Sequence, residues 1–178
     1  MTTKRYTRIA IGLHWAIALL IFSAFPIGLY MHDLKLSPMK LHLYSYHKWI
    51  GISVLGLAVL RVLWRATHKP PALHLARWQE IASGIVHGLL YLLILAVPMT
   101  GWLMSSAKGV KTVWLGIVPL PDLVAKDKAL GHLLSNVHTA LNYTLLALVV
   151  LHIAAALKHH FVDRDDVLLR MLPMKQEG

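Results

Sequence analysis

Histidine is the residue type in this chain best suited to chemistry, and its placement is patterned. The 178 residues include 12 histidines and no cysteine. Two of them, His138 and His152, are the only histidines inside the otherwise apolar stretch Leu133–Leu157. Their separation of fourteen residues falls roughly 40° short of four full helical turns at about 100° per residue. Both imidazoles therefore leave one face of a helix, about 21 Å apart along its axis. Imidazole is a common ligand for metals and for haem iron. Two of them on one face, one toward each leaflet of a bilayer, imply the shared wall of two stacked haem sites. The plainer alternative is that each only hydrogen-bonds a neighbouring membrane helix. The common register, with partner histidines elsewhere in the chain, favours ligation.

Positioning these groups requires helices that cross a membrane. The chain is 57% hydrophobic, too apolar for a soluble domain of its size. Four apolar spans are expected at about 9–31, 44–63, 81–104 and 133–157, within one domain covering 1–178. The first follows the basic segment MTTKRYTR, is longer than a signal-peptide core and has no small-residue cleavage site after it, so it reads as a retained span. Pro26 is expected to kink it. The connectors are polar and punctuated by Pro38, by Pro70–Pro71 and by Gly109, Gly116, Pro119 and Pro121. Within the longest connector, Thr112–Leu120 is apolar and is expected to lie on the bilayer surface. The expected fold class is an all-α integral membrane protein, a four-helix transmembrane bundle binding two haems.

The absence of cysteine excludes disulfides, thiolate iron–sulfur ligation, cysteine-ligated zinc and covalent c-type haem attachment. The formal charge of +10 reads as loop charge on a membrane protein rather than as a nucleic-acid surface. Alternating spans put eleven basic residues on the side that holds both termini, including all seven arginines, and seven lysines on the other. The positive-inside rule places the first side, with both termini, in the cytoplasm.

Depth then sorts the histidines. His14 opens the first span from the cytoplasmic side and shares a level with His152. His47 opens the second span from the opposite side and shares a level with His138. Two bis-histidine haems would have no open iron position, an arrangement that favours electron transfer. Depth equally admits His87, on the third span, as the cytoplasmic partner of His152; otherwise it would stand near a propionate or a quinone. Arg61 follows His47 by fourteen residues and could pair with a haem propionate. Gly28 and Gly101 follow His14 and His87 at the same interval, where a glycine admits a flat macrocycle or simply close helix packing. His159, seven residues past His152, continues its face to the interface. There it could hydrogen-bond a quinone headgroup, or be a solvated histidine favouring the helix dipole. His160 points elsewhere, and His32, His42, His68, His74 and His132 fall in or beside loops.

The segments LHW (Leu13–Trp15), HKWIG (His47–Gly51), HTALNY (His138–Tyr143), ALKHHF (Ala156–Phe161) and DRDDVLLRMLP (Asp163–Pro173) together resemble the bacterial cytochrome b-561 family over nearly the whole chain. That resemblance implies a dihaem b-type cytochrome of the bacterial inner membrane. It implies His14 with His152 as axial ligands of one haem iron and His47 with His138 as those of the other. It also implies a quinone site near His159, and for some members oxidation of periplasmic superoxide coupled to reduction of ubiquinone. No motif here marks a superoxide site, and no catalytic residue is identified.

The expected function is a membrane oxidoreductase carrying electrons from periplasmic superoxide, or another one-electron donor, through two haems to ubiquinone. Lys35, Lys40, Lys48, Lys108, Lys111, Lys126 and Lys128 face only Asp33, Asp122 and Asp127 on the outer side and would attract an anion. The alternatives are a haem-bearing anchor for a partner dehydrogenase or hydrogenase subunit, and a non-redox transporter or scaffold. Besides lipid, ubiquinone and such a subunit, no nucleic-acid partner is expected.

Overall fold

The computed structural model describes residues 5–68, 71 and 76–173. Lys4, Lys69 and Lys175, counted above toward the basic side, lie outside them, as do Pro70 and His74. Four helices carry the fold: α1 (Arg8–Asp33), α2 (Pro38–Thr67), α3 (Arg77–Ala107) and α4 (Lys128–Lys158). All four are long and apolar enough to cross a membrane. Each contains the apolar span read from the sequence and extends beyond it at both ends. At 26–31 residues they run about 39–47 Å, so their ends project past a hydrocarbon core of about 30 Å.

The starts of the helices are written in polar side chains. Thr7 Oγ1 accepts from the Ala10 N–H, Ser37 Oγ from that of Lys40, and Asp127 Oδ1 from that of Leu130. Each satisfies a backbone donor that has no partner within its helix. Pro38 follows its cap at the first helical position, where a missing N–H costs nothing. On α3 the Gln79 side chain instead turns back to accept from the Ala76 N–H.

The α3–α4 connector is more ordered than its sequence announces. Val113–Trp114 (β1) pairs antiparallel with Val118–Pro119 (β2), closing a small hairpin. Three indoles pin the connector to the bundle: Trp49 Nε1 donates to the Val113 carbonyl, Trp102 Nε1 to that of Pro121, and Trp114 Nε1 to Ser53 Oγ. At the other end the tail folds back. A π-helical turn, His159–Asp163, follows α4, Arg164 reverses the chain at φ 54°, and a 3-10 turn covers Leu169–Met171. Trp15 Nε1 donates to the Met171 carbonyl and Arg5 Nη2 to those of Leu169 and Leu172, so the tail is tied beneath α1.

Packing pairs α1 with α2 and α3 with α4, and α2 against α3 joins the pairs. The core is Ala58, Leu93, Ile94, Val97 and Leu145, with Ile21 packed on it. Its register explains the function of the fourteen-residue spacing. Ile21 lies midway between His14 and Gly28, Val54 between His47 and Arg61, Ile94 between His87 and Gly101, and Leu145 between His138 and His152. Each helix thus places one apolar side chain two turns from a group at either end. Large side chains such as Leu19, Phe22, Leu63 and Leu92 point outward, as a lipid-facing surface requires.

Candidate functional site

Two levels of polar residues flank that central layer. At the hairpin end His47 and His138 face one another with ring centres 6.4 Å apart and planes at 87°. His47 Nδ1–H donates to the Ala24 carbonyl (3.1 Å) and His138 Nδ1–H to the Val97 carbonyl (3.0 Å). Thr100 Oγ1, which itself donates to Val97, lies 3.2 Å from His138 Nδ1. A carbonyl only accepts, so these contacts fix the proton on Nδ1. Each Nε2 is left with its lone pair, the tautomer a metal needs.

The glycines explain how the imidazoles come so close to the neighbouring backbone. A Cβ on Gly28 would stand 3.1 Å from His47 Cε1, and one on Gly101 would stand 3.1 Å from His138 Cε1. The pattern is the same on both helix pairs: a carbonyl at one position and a glycine four residues later, Ala24/Gly28 and Val97/Gly101, form a notch for the partner helix's histidine. The sequence suggested that these glycines admit a macrocycle or serve plain helix packing; what they admit is the edge of an imidazole.

At the terminal end three imidazoles converge. His14 and His152 have ring centres 6.2 Å apart, and His87 lies 5.3 Å from His152. Two imidazole nitrogens at about 2.0–2.1 Å from a shared metal, with each ring centre roughly 1.1–1.2 Å behind its nitrogen, put the ring centres about 6.2–6.6 Å apart. The His14–His152 and His47–His138 separations both meet that requirement, so each pair would fit one haem iron between its rings. The His87–His152 pair is about 1 Å too close.

Arg61 reaches the same terminal level. Its Nε donates to the Tyr91 hydroxyl (3.1 Å) and its Nη1 to the Ala10 carbonyl (2.9 Å). The guanidinium groups of Arg61 and Arg65 lie 5.7 and 5.5 Å from the centre of the Tyr91 ring. These residues, with Arg5 and Trp64, line a cavity of about 240 Å³ whose guanidinium groups suit carboxylates. Tyr91 was legible in principle, since it lies one turn after His87 on the same face.

His159 lies not in solvent but largely covered, its side chain 14% exposed. Its Nδ1 is 2.6 Å from Asp165 Oδ2 and 3.2 Å from Asp163 Oδ2. No helical periodicity could have paired His159 with Asp165, because the π turn and the reversal at Arg164 intervene. Of the remaining histidines, His32 pairs with exposed Asp33, and His68 stacks on Trp64 at 3.8 Å where it lines the cavity beside Arg61.

Four apolar helices that turn histidines inward at two depths have the arrangement expected of a membrane-embedded cytochrome. The comparisons name its family. Residues 5–174 match the model described as "Prokaryotic cytochrome b561", and the chain belongs to that family. It is 34% identical to "Cytochrome b561 homolog 2" of Escherichia coli K12, over 96% of this chain and 93% of that protein. It is 27% identical to "Probable superoxide oxidase CybB" of Yersinia pestis, covering 97% and 98%. "Cytochrome b562" of Cereibacter sphaeroides is 29% identical, covering 94% of each. The protein is thus a multi-pass membrane electron-transfer protein of a b-haem family.

Proposed function

We propose that the chain is a single dihaem domain in the bacterial inner membrane that conducts electrons from a one-electron donor on the outer face to ubiquinone on the inner face. The observation that carries this reading is the near-equal ring separation at two levels, 6.2 and 6.4 Å, which suits one iron between each pair. His14 with His152 and His47 with His138 would be the axial ligands, and Arg61 a partner for a propionate. Bound there, two b haems supply a one-electron relay spanning most of the bilayer. His87, set too close to His152 to share an iron with it, would support the terminal site from its edge.

The face that bears both termini carries the arginines and is assigned to the cytoplasm. The opposite face is rich in lysine, which supports an anionic donor; superoxide is the favoured one, in keeping with the name of the Yersinia pestis relative. Two of its seven lysines already serve the backbone, Lys40 at the Leu34 carbonyl and Lys48 at the Lys111 carbonyl. Neither contact removes the lysine's charge, so all seven contribute to the local potential. His159 is the proposed contact for the quinone headgroup, one helical face beyond His152.

The test is haem stoichiometry with site-directed loss. Pyridine haemochrome should give two haems per polypeptide. His138→Ala should remove the outer one and His152→Ala the inner one. One haem in fully loaded wild-type protein would end the two-level model.

A further inference from the structure

The pairing of His159 with carboxylates from the returning tail carries the reading of this end of the molecule further. Asp165 is held on two sides. Its Oδ1 accepts from the Val167 N–H at 3.0 Å, and its Oδ2 faces His159 Nδ1 at 2.6 Å. The turn that delivers it is closed by the Asp165 N–H, which donates to the His159 carbonyl at 3.1 Å. The other charged groups at this corner are Asp163, 3.2 Å from the same Nδ1, and Lys158, whose Nζ holds Asp163 at 2.7 Å. Asp163 is therefore neutralised by a lysine of its own, and Asp165 is the carboxylate committed to the imidazole. Asp163 and Asp165 are only part-exposed, at 28% and 29% of their side chains, and so lead from solvent to a largely covered ring.

We propose that Asp165 is a positioning residue for proton delivery to the quinone: it keeps Nδ1 of His159 protonated and turned toward the tail, so that Nε2 is the nitrogen that serves the substrate. The inference rests on the reading that a quinone headgroup sits at His159. Reduction of a quinone to a quinol takes two electrons, which arrive singly through the bundle, and two protons. At the carbonyl that His159 contacts, the Nε2–H bond of a doubly protonated ring breaks and an O–H bond forms on that oxygen, while the opposite oxygen takes its proton from water. The ring is left as the neutral Nδ1–H tautomer, still bonded to Asp165, and Nε2 takes its next proton from cytoplasmic water. Without Asp165 only the longer contact to Asp163, itself held by Lys158, favours a proton on Nδ1, and part of the population would present Nε2 protonated and Nδ1 bare.

The experiment uses full-length, haem-loaded protein in detergent, with decylubiquinone as the quinone. Dithionite-reduced haem is reoxidised by the quinone and followed optically, and the His159 tautomer is read by 15N NMR of histidine-labelled protein, the signal being assigned by its loss in His159→Ala. Asp165→Asn should slow the maximal rate of reoxidation about tenfold or more while the half-saturating quinone concentration stays within about twofold, a split expected of a group that serves proton transfer rather than binding. It should also mix the two neutral tautomers of His159. Asp165→Glu should restore much of the rate. In a His159→Ala background Asp165→Asn should cost nothing further, because the two residues act as one unit. If Asp165→Asn fails to load haem, Asp165→Glu and the NMR tautomer decide the question, and a wild-type rate with a mixed tautomer would overturn the proposal. An effect of Asp165→Asn on half-saturation alone, or additive with His159→Ala, would overturn it too. Slow reoxidation in His159→Ala with wild-type behaviour in Asp165→Asn would remove Asp165 and leave the quinone site standing. Wild-type behaviour in both would mean that the quinone binds elsewhere, and both readings fall.

Discussion

Adding a single methyl group at Gly101 tests the architecture of the level at the hairpin end. The Cβ of Gly101→Ala would meet His138 Cε1 at 3.1 Å, whereas unstrained carbon–carbon contacts lie at about 3.5–4.0 Å. The imidazole must retreat by roughly half an ångström, away from the backbone that orients it. Its Nδ1–H bond to Val97, now 3.0 Å, would stretch to about 3.5 Å, past the useful range. Two costs follow: about 1–3 kcal/mol for overpacking and about 0.5–1.5 kcal/mol for the weakened hydrogen bond. Against them stands a gain of about 0.5–1 kcal/mol from replacing glycine with alanine in a helix. The net penalty is about 0.5–4 kcal/mol and falls at the proposed haem site, which corresponds to a loss of roughly twofold to nearly a thousandfold in haem retention there. Thermal unfolding is a poor assay, because the propensity gain hides part of the cost. The informative measurement is haem content with a resolved redox titration: one of two transitions should shrink or shift, and the one assigned to His14 and His152 should stay. Gly28→Ala should do the same through His47, whose Cε1 is also at 3.1 Å. Wild-type haem content and two unmoved potentials in Gly101→Ala would refute the notch as a determinant of the site.

Three further outcomes are expected. His87→Ala should keep a six-coordinate, low-spin spectrum while His14→Ala loses it at the inner haem, since only the His14–His152 spacing suits a shared iron; the opposite pattern, read in the visible spectrum, would reassign the ligand. Leu145→Ala removes the most enclosed large side chain of the central layer and should cost about 2–5 kcal/mol of stability, seen as earlier thermal unfolding with both haems still bound. Reversing charge at Lys108, Lys111 and Lys126 should slow reduction of the haems by superoxide most at low ionic strength, because salt screens such steering over about 8–10 Å at 0.1–0.15 M; a rate insensitive to both charge and salt would exclude steering.

What the chain discloses before folding is what helical periodicity can carry. The four helices, the inward histidines and the level at which each sits follow from apolar run length and the fourteen-residue interval, because side-chain direction repeats along a helix. What it hides depends on contacts between elements that periodicity does not relate. The notch that seats His47 is a carbonyl and a glycine on α1, and a backbone carbonyl leaves no mark in the sequence. His159 reads as a helix-end residue until a π turn and a left-handed Arg164 bring Asp165 back to it. The hairpin at Val113–Pro119 reads as an apolar surface segment, because its order comes from indoles at Trp49 and Trp114 that find their partners across the loop. His87 lies between these cases: depth put it at the correct level, and only its distance from His152 separates it from His14.

The central layer also constrains what can cross the bundle. Ile21, Val54, Ile94 and Leu145 border one small cavity that His47 and His138 also line, and none of the four carries a polar side-chain atom. A proton would need a continuous run of hydrogen-bonding groups or ordered water through this layer, and water holds a site only where it finds two to four polar partners. An electron needs neither. On the proposed reading, two relay sites about 20 Å apart, one on each side of an aliphatic layer, would separate the two currents. On the proposed reading, charge enters at the hairpin end without protons, and every proton that quinol formation consumes must come from the terminal side. The molecule concentrates its part-exposed carboxylates there: Asp163, Asp165 and Asp166 all lie on the tail that folds back under the bundle. A polar residue at the centre of the layer is the direct challenge to this logic. Leu145→Asn should leave the haem spectrum unchanged, yet add a second amide to a cavity that Asn142 already lines. In proteoliposomes, turnover with an outer donor and an internal quinone should alkalinise the cytoplasmic-face compartment alone in the wild type, and Leu145→Asn should begin to draw protons from the other side. Proton uptake from the hairpin side in the wild type would show that the aliphatic layer is not the barrier argued here.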